Sequence, residues 1–333
     1  MKILVTGGAG YIGSHAVKEL LKKGYEVVVY DNLSRGFQEP LPREIKFVQG
    51  DLNNPKLLER VFNSNKFDAV IDFSGSTEVE ESMKNPKKFY LNNVISLLNL
   101  LQIMKNYNVK TIVYSSSASV YGEPSTIPVH EDCNLNPNNV YGETKAIAEK
   151  MLNFFDKIYG IKSVALRYFN AAGADFNGDM GEAHNPETHL IPIVLNAALK
   201  KRKSVSIYGT DFATKDGTAV RDYIHVKDLS QAHILAINHL FSGEKSKMFS
   251  IGTGKGYSVK EIIETARKIT GYEIPVIMNS KRFGDPAELV ANADKIKMEF
   301  GWEPKYSDLQ TIIKTAWKWH KNNPNGYKKN VIH

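Results

Sequence analysis

The chain has one cysteine, Cys133, in 333 residues. A lone thiol cannot close an intrachain disulfide, so a reducing, cytoplasmic setting is expected. No apolar run approaches the ~20 residues of a membrane span, and the first residues read as a short strand rather than a signal peptide. No membrane attachment is expected. Internal repeats and low-complexity tracts are also missing. Nucleic-acid binders carry clustered basic residues with interleaved aromatics. Here the net charge is +7, but lysines stand beside acids, as in Lys18-Glu19 and Lys260-Glu261, and only Lys200-Lys201-Arg202-Lys203 is compact. A solvated helix end accounts for that run, so no nucleic-acid partner is expected. No ligand set calls for a metal. A mildly basic surface does suit an anionic small molecule.

What is present is an ordinary globular composition, 42% hydrophobic and 24% charged. Short β-branched runs at residues 3–6, 26–30, 45–48, 69–73, 111–114 and 163–168 alternate with helical patterns. Several runs are almost continuously apolar, as strands buried on both faces should be. One helix carries Ile12, Ala16 and Leu20 and stops at Gly24; another runs from Pro86 to Met104. Alternating strands and helices predict an α/β fold, a doubly wound parallel sheet of Rossmann type. After about Ala174 glycine-rich loops intervene, with helices near residues 191–198 and 228–240 and one more strand at 248–251. This texture predicts a smaller, mixed α/β C-terminal lobe with a discontinuous boundary. Trp317-Lys318-Trp319-His320 reads as helix packing.

The first strand runs into Thr6-Gly7-Gly8-Ala9-Gly10-Tyr11-Ile12-Gly13. Glycines after a strand and before a helix permit a tight turn and a close backbone approach, and the helix N-terminus attracts a pyrophosphate. The second strand ends in Asp31, 18 residues beyond Gly13, where a carboxylate can take hydrogen bonds from an adenosine ribose. Its charge repels a 2′-phosphate, which favours NAD over NADP, although Arg35 lies nearby. Asp51, after the third strand, either contacts adenine or caps the following turn. The fifth strand ends in Ser115-Ser116-Ser117, hydroxyls at the carboxyl edge of a central strand. Tyr141 and Lys145 stand four apart on one helix face. An ammonium there favours the phenolate, so a tyrosine of reference pKa ~10 is expected to be drawn toward neutrality and act as a base.

In this order, Gly-x-x-Gly-x-x-Gly, Ser-Ser-Ser-x-x-Val-Tyr-Gly and Tyr-x-x-x-Lys resemble the extended short-chain dehydrogenase/reductase family, and within it the bacterial UDP-glucose 4-epimerases. The likeness continues through Leu166-Arg167-Tyr168-Phe169-Asn170, Gly178-Asp179-Met180-Gly181-Glu182, Val220-Arg221-Asp222-Tyr223-Ile224-His225-Val226 and Arg282-Phe283-Gly284-Asp285-Pro286. It covers nearly the whole chain. The resemblance implies 4-epimerisation of a UDP-sugar, UDP-galactose to UDP-glucose, through a transient 4-keto sugar with tightly held NAD. Tyr141 would take the proton of the 4-hydroxyl, Ser117 would share the relay, and Lys145 would hold cofactor ribose hydroxyls and keep Tyr141 acidic. Gly7, Gly10, Tyr11, Ile12, Gly13, Asp31, Asn32, Asp51, Leu52, Phe73, Gly75, Asn92, Ser115 and Tyr168 match cofactor contacts. Arg221 and Arg282 match diphosphate ligands, Asn170 a diphosphate or sugar contact, and Leu190, Ser206, Tyr208 and Asp285 the uridine pocket. Residues 1–173 plus about 221–252 would bind NAD, and about 174–220 plus 253–333 the UDP-sugar.

Two departures from the family pattern stand out. Thr77 takes the place of a lysine near the cofactor, which leaves cofactor affinity and redox poise open. Leu289 replaces a bulky tyrosine that closes the sugar pocket, which would leave room for an N-acetyl group. A 4,6-dehydratase is disfavoured, since Ser117-Ala118-Ser119 carries no carboxylate to eliminate water. An NAD-binding regulator would have a broken Tyr/Lys pair, and both residues are intact. UDP-glucuronate and UDP-pentoses stay open as substrates. The helices from Pro86 and from Tyr141 would form a homodimer seam.

Overall fold

The apolar runs become strands of one sheet in the computed structural model, which describes residues 1–282 and 284–327. Phe283, within one of the motifs above, lies outside the described residues. The first half of the chain contains β1 (Lys2–Thr6), α1 (Tyr11–Lys22), β2 (Glu26–Asp31), β3 (Lys46–Gln49), α2 (Pro55–Asn63) and β4 (Ala69–Asp72). It continues with α3 (Val79–Lys84), α4 (Pro86–Phe89), α5 (Ser96–Asn106), β5 (Thr111–Ser117), α6 (Val140–Tyr159) and β6 (Lys162–Tyr168). The second half brings β7 (Asn170–Ala172), α7 (Leu190–Ala198), β8 (Val205–Tyr208), β9 (Val220–His225), α8 (Val226–Phe241) and β10 (Lys247–Ile251). β11 (Gly256–Ser258), α9 (Val259–Thr270), β12 (Val276–Asn279), β13 (Glu288–Leu289), α10 (Asp294–Phe300) and α11 (Leu309–Asn322) complete it.

Seven parallel strands lie in the order β10-β6-β5-β4-β1-β2-β3. Successive side chains leave a strand on opposite faces, and the two faces hold separate cores. Ile3, Val5 and Val29 pack with Val17 and Leu20 of α1 and with Leu229, Ile237 and Leu240 of α8. Leu4, Val28 and Val70 pack with Leu58 of α2, Leu100 and Met104 of α5, and Leu152 of α6. The chain leaves β1 toward β2 but leaves β4 toward β5, so a crevice opens at the carboxyl ends of β1 and β4. β9 pairs with β7, β11 and β13 in a small mixed sheet, and β8 pairs with β12. A third core joins α7, α9 and α11 over these strands.

The helix expected from Pro86 to Met104 is present but not uniform. Its turn Tyr90–Ile95 is π-helical. The wider turn suits what Asn93 does: its Oδ1 accepts from Ser76 N at 2.7 Å, while its Nδ2 donates to the Ser76 carbonyl at 3.0 Å and to Thr144 Oγ1 at 2.9 Å. A buried amide thus ties the loop after β4 to α6. Trp319 is buried in α11, as packing predicts.

Four histidines are buried and neutral. Burial lowers His15, His233 and His320 to about 4 and His225 to about 3. A histidine whose folded pKa lies below its unfolded value binds fewer protons when folded, so unfolding takes up protons in acid. Stability should therefore fall as pH drops from about 6.5 toward 4, by up to about 1.4 kcal/mol per pH unit for each histidine. Thermal melts across that range check the sign; a midpoint that rises on acidification would contradict it.

Candidate active site

The glycine-rich turn lies at the crevice. Gly7 has φ +68°, and a Cβ there would meet the Phe73 carbonyl carbon at 2.6 Å. A Cβ on Gly13 would stand 2.3 Å from the Gly7 carbonyl oxygen. Only glycine fits either position. α1 begins after Gly10 with no side-chain cap, leaving its first amides for an anion. Tyr11 donates to the Gly173 carbonyl at 2.7 Å, and Ile12 packs on the sheet core. Asp31 ends β2, where its carboxylate accepts from Ala9 N at 3.0 Å and Leu33 N at 2.8 Å. Burial raises its pKa, and those two amides pull it back.

Asp51 accepts from Asn53 N at 2.8 Å, which is turn capping, and from Asn32 Nδ2 at 2.8 Å. Leu52 is buried, and its carbonyl accepts from Asn99 at 3.0 Å. Arg35 forms ion pairs with Glu78 and Glu81, the latter at 3.6 Å. Its charge is engaged there, which removes the main reason to expect a 2′-phosphate.

The Tyr/Lys pair sits on α6, whose N-cap Asn139 accepts from Gly142 N at 2.9 Å. Tyr141 and Lys145 are both buried, at 9% and 2% exposure. The Ser117 hydroxyl, at the end of β5, lies beside the Tyr141 phenol and favours its ionised form. Lys145 Nζ donates to the Ser115 carbonyl at 2.7 Å and lies 4.7 Å above the Tyr114 ring and 5.9 Å from the Tyr141 ring centre.

The structure corrects the expected electrostatics of this pair. Burial pushes the Tyr141 phenol up rather than down, with only the Ser117 hydroxyl opposing it. Burial also lowers Lys145, to about 8, while Asp72 and Glu149 hold it up. Both groups lose water, and that desolvation dominates each of them, while Lys145 Nζ points at the Ser115 carbonyl rather than at the phenol oxygen. In the protein alone Tyr141 is a neutral phenol.

Tyr168 is buried and its hydroxyl meets His233 and Ser115, so it is held in the core by polar partners. Phe73 packs against His233 with the rings tilted by 44° and 4.6 Å between their centres. Gly75 has φ +119° beside Asn93, and Asn92 Nδ2 donates to Ser76 Oγ at 3.1 Å. Thr77 is exposed.

The second lobe contributes its own set. Leu289 in β13 is in register with Arg221 in β9, and it packs on a cluster containing Ala118, Val120 and Phe169. Arg221 is largely buried, donates to the Val220 carbonyl at 2.8 Å and has Asp285 at 3.9 Å. Arg282 stacks on the Tyr208 ring at 3.8 Å, and its hydrogen bond, with one from Ser206, lowers the Tyr208 phenol. Asn170 Nδ2 donates to the Asp222 carbonyl at 3.0 Å. Leu190 opens α7, half-buried on the core of this lobe.

Three groups escaped the reading of the sequence. Asn93 is one, and nothing in an apolar helix pattern singles it out. The buried pair Glu149–Arg167 is another. The third is Glu182, His184, Glu187 and His189, whose donor atoms all lie within 4.8 Å of one another. The spacing Glu-x-His-x-x-Glu-x-His would have revealed it.

Residues 3–252 match the NAD dependent epimerase/dehydratase family. The UDP-glucose 4-epimerase of Lactobacillus helveticus is 50% identical over 328 residues, 98% of this chain and 99% of the relative. The Bifidobacterium longum UDP-glucose 4-epimerase, solved with NAD+ and UDP, superposes with a TM-score of 0.93 at 38% identity, covering 98% of this chain and 100% of that one. The UDP-Glc/GlcNAc 4-epimerase of Campylobacter jejuni gives 0.85 at 41% identity, over 96% and 99%. Sequence, fold and site geometry thus agree: the chain belongs to the NAD-dependent epimerase/dehydratase family.

Proposed function

We propose that this protein interconverts UDP-galactose and UDP-glucose by epimerisation at C4, with NAD retained through the turnover. The observation that carries this reading is the buried Tyr141 phenol beside the Ser117 hydroxyl and above the buried Lys145, on the same edge of the sheet as an uncapped, glycine-lined helix N-terminus. The cradle fits a dinucleotide: Gly7, Gly10 and Gly13 bring backbone close to a pyrophosphate, and Asp31 terminates the strand where a ribose would sit. NAD supplies a reversible hydride acceptor and, when oxidised, a positive charge.

As the phenolate, which the positive charges of bound NAD+ and of the Lys145 ammonium would favour against burial, Tyr141 Oη takes the sugar 4-hydroxyl proton as the alcohol becomes a ketone, and it returns that proton when the alcohol re-forms. Ser117 Oγ links substrate hydroxyl and phenol. Lys145, fixed by the Ser115 carbonyl, orients cofactor ribose hydroxyls. Tyr11, Ile12, Asn32, Asp51, Leu52, Phe73, Gly75, Asn92 and Tyr168 complete the cofactor's surroundings. Arg221 and Arg282 bind diphosphate oxygens, as guanidinium forks do. Asn170 reaches the diphosphate or sugar. Leu190, Ser206, Tyr208 and Asp285 form the uridine side, with Arg282 already stacked on Tyr208.

The division of labour runs between residues 1–173 plus about 221–252 and residues about 174–220 plus 253–333. Support comes from β10 joining the large sheet and α8 covering it, with α7, α9 and α11 sharing a separate core. We also propose a homodimer. Leu91 and Ile95, in the π-helical turn, and Phe154 and Ile158, on α6, are 40–65% exposed and leave apolar faces on neighbouring helices. We place the enzyme in the cytoplasm, where its one cysteine would stay reduced; among the described residues no helix is long and apolar enough to cross a membrane.

Incubation with UDP-galactose without added cofactor should yield UDP-glucose by NMR. No conversion even with NAD supplied would overturn the assignment. UDP-N-acetylglucosamine should also turn over, because Leu289 is half-buried on the Ala118–Phe169 cluster rather than filling the space of a tyrosine. If UDP-galactose reacts and UDP-N-acetylglucosamine does not, Leu289 does not set the pocket.

A further inference from the structure

We propose that residues 182–189 bind one divalent transition-metal cation of the zinc class, with Glu182, His184, Glu187 and His189 as ligands. No metal is expected from the sequence motifs alone. Four side chains from eight consecutive residues converge so that their donor atoms lie within 4.8 Å of one another. Two imidazoles with two carboxylates suit zinc and its neighbours, whereas magnesium and calcium prefer oxygen donors alone.

Charge and burial argue for a cation. The Glu182 side chain is only 4% exposed, and both His184 Nδ1, at 3.0 Å, and His189 Nδ1 face its Oε1. Among the described residues no lysine or arginine comes within ion-pair distance of Glu182 or Glu187. Two neighbouring carboxylates, one of them buried, therefore have no cationic side chain but the two imidazoles near them. A divalent ion compensates both carboxylates and accepts both Nδ1 lone pairs.

The ligands are held in advance. Gly181 N donates to Tyr327 Oη at 2.9 Å, and Trp319 Nε1 donates to the Glu182 carbonyl at 2.9 Å. One Glu187 oxygen accepts from Thr188 N at 2.8 Å and His189 N at 2.9 Å, which orients the carboxylate and leaves its other oxygen for a metal. Four protein donors close the coordination sphere, which marks a structural ion. It would fasten the connection between β7 and α7. His184 lies edge-on to Tyr11 at 6.5 Å between ring centres, and His189 is the residue before Leu190. The ion would thereby couple the glycine-rich turn to the start of α7. Only its relevance to uridine binding rests on the proposed function.

The test uses untagged full-length protein, stripped with a chelator, dialysed and titrated with Zn²⁺ alone. About one zinc per chain should remain through gel filtration, with cobalt giving visible d–d bands. His184→Ala/His189→Ala, which removes both imidazole donors and leaves the buried Glu182 in place, should weaken zinc binding by about 100-fold or more. Glu182→Gln is less informative, since a buried change can disturb folding. Stoichiometry below about 0.1 per chain, or the same binding in the histidine variant, overturns the site and leaves adventitious zinc or a metal-free ion pair. Neither readout depends on turnover, so failure here is distinct from failure of the epimerase reading.

Discussion

Tyr141→Phe is expected to lower kcat by about 10²–10⁴-fold, the range lost with a general acid–base, while UDP still binds. The substitution removes one oxygen from a buried ring and leaves the Phe89 edge contact, 6.5 Å between centres, in place. Ser117 keeps a second role, accepting from Ser119 N at 3.1 Å, so the end of β5 should not collapse. The loss should therefore fall on kcat rather than on KM or Tm. Ser117→Ala should cost less, because the phenol remains to accept the proton. A Tyr141→Phe protein that keeps a large share of its turnover would remove Tyr141 as the base. The raised phenol of the protein alone adds a second check. Positive charge beside Tyr141 favours phenolate, so NAD-loaded protein should show a lower tyrosine pKa by ultraviolet titration than protein freed of NAD.

The large sheet was legible because most of its strands, though not the edge strand β3, are short, β-branched and nearly continuously apolar, as strands buried on both faces are. The glycine-rich turn was legible because Gly7 and Gly13 answer to steric demands that no other residue meets. The electrostatics of Tyr141 were not. Spacing on a helix reports neighbours along one face, but not that Lys145 turns to the Ser115 carbonyl or that both groups lose water. Asp51 was ambiguous because a carboxylate after a strand serves a turn and a ligand equally well; the turn amide is there to see, at 2.8 Å. The π-helical turn was hidden since Asn93 finds its partners 17 and 51 residues away. Contacts at such separations leave no local signature.

Glu149→Ala should destabilise the fold by about 3–5 kcal/mol, because it strands a buried guanidinium. Arg167 reaches Glu149 through Nε at 2.9 Å and Nη2 at 2.7 Å, with side-chain exposures of 3% and 2%. Ser116 Oγ adds 2.6 Å to the same carboxylate, and Tyr121 Oη takes Arg167 Nη1 at 2.7 Å. With an unfolding entropy of about 2.1 cal/mol/K per residue, that loss lowers Tm by roughly 4–7 °C if unfolding is two-state. Glu149→Leu with Arg167→Met should lose much less than the sum of the two single changes, since no buried charge is left unpaired. A loss below about 1 kcal/mol for Glu149→Ala would mean that water reaches the guanidinium. The pair also reaches the chemistry. Glu149 lies one helical turn beyond Lys145 and is one of two carboxylates that hold the lysine's pKa up against burial. Without it the Lys145 pKa should fall below its present value of about 8 and the ammonium should lose its proton nearer neutrality. The folded fraction of Glu149→Ala should then need a lower pH than the parent to keep Lys145 charged, a shift that a purely structural role for Glu149 would not produce.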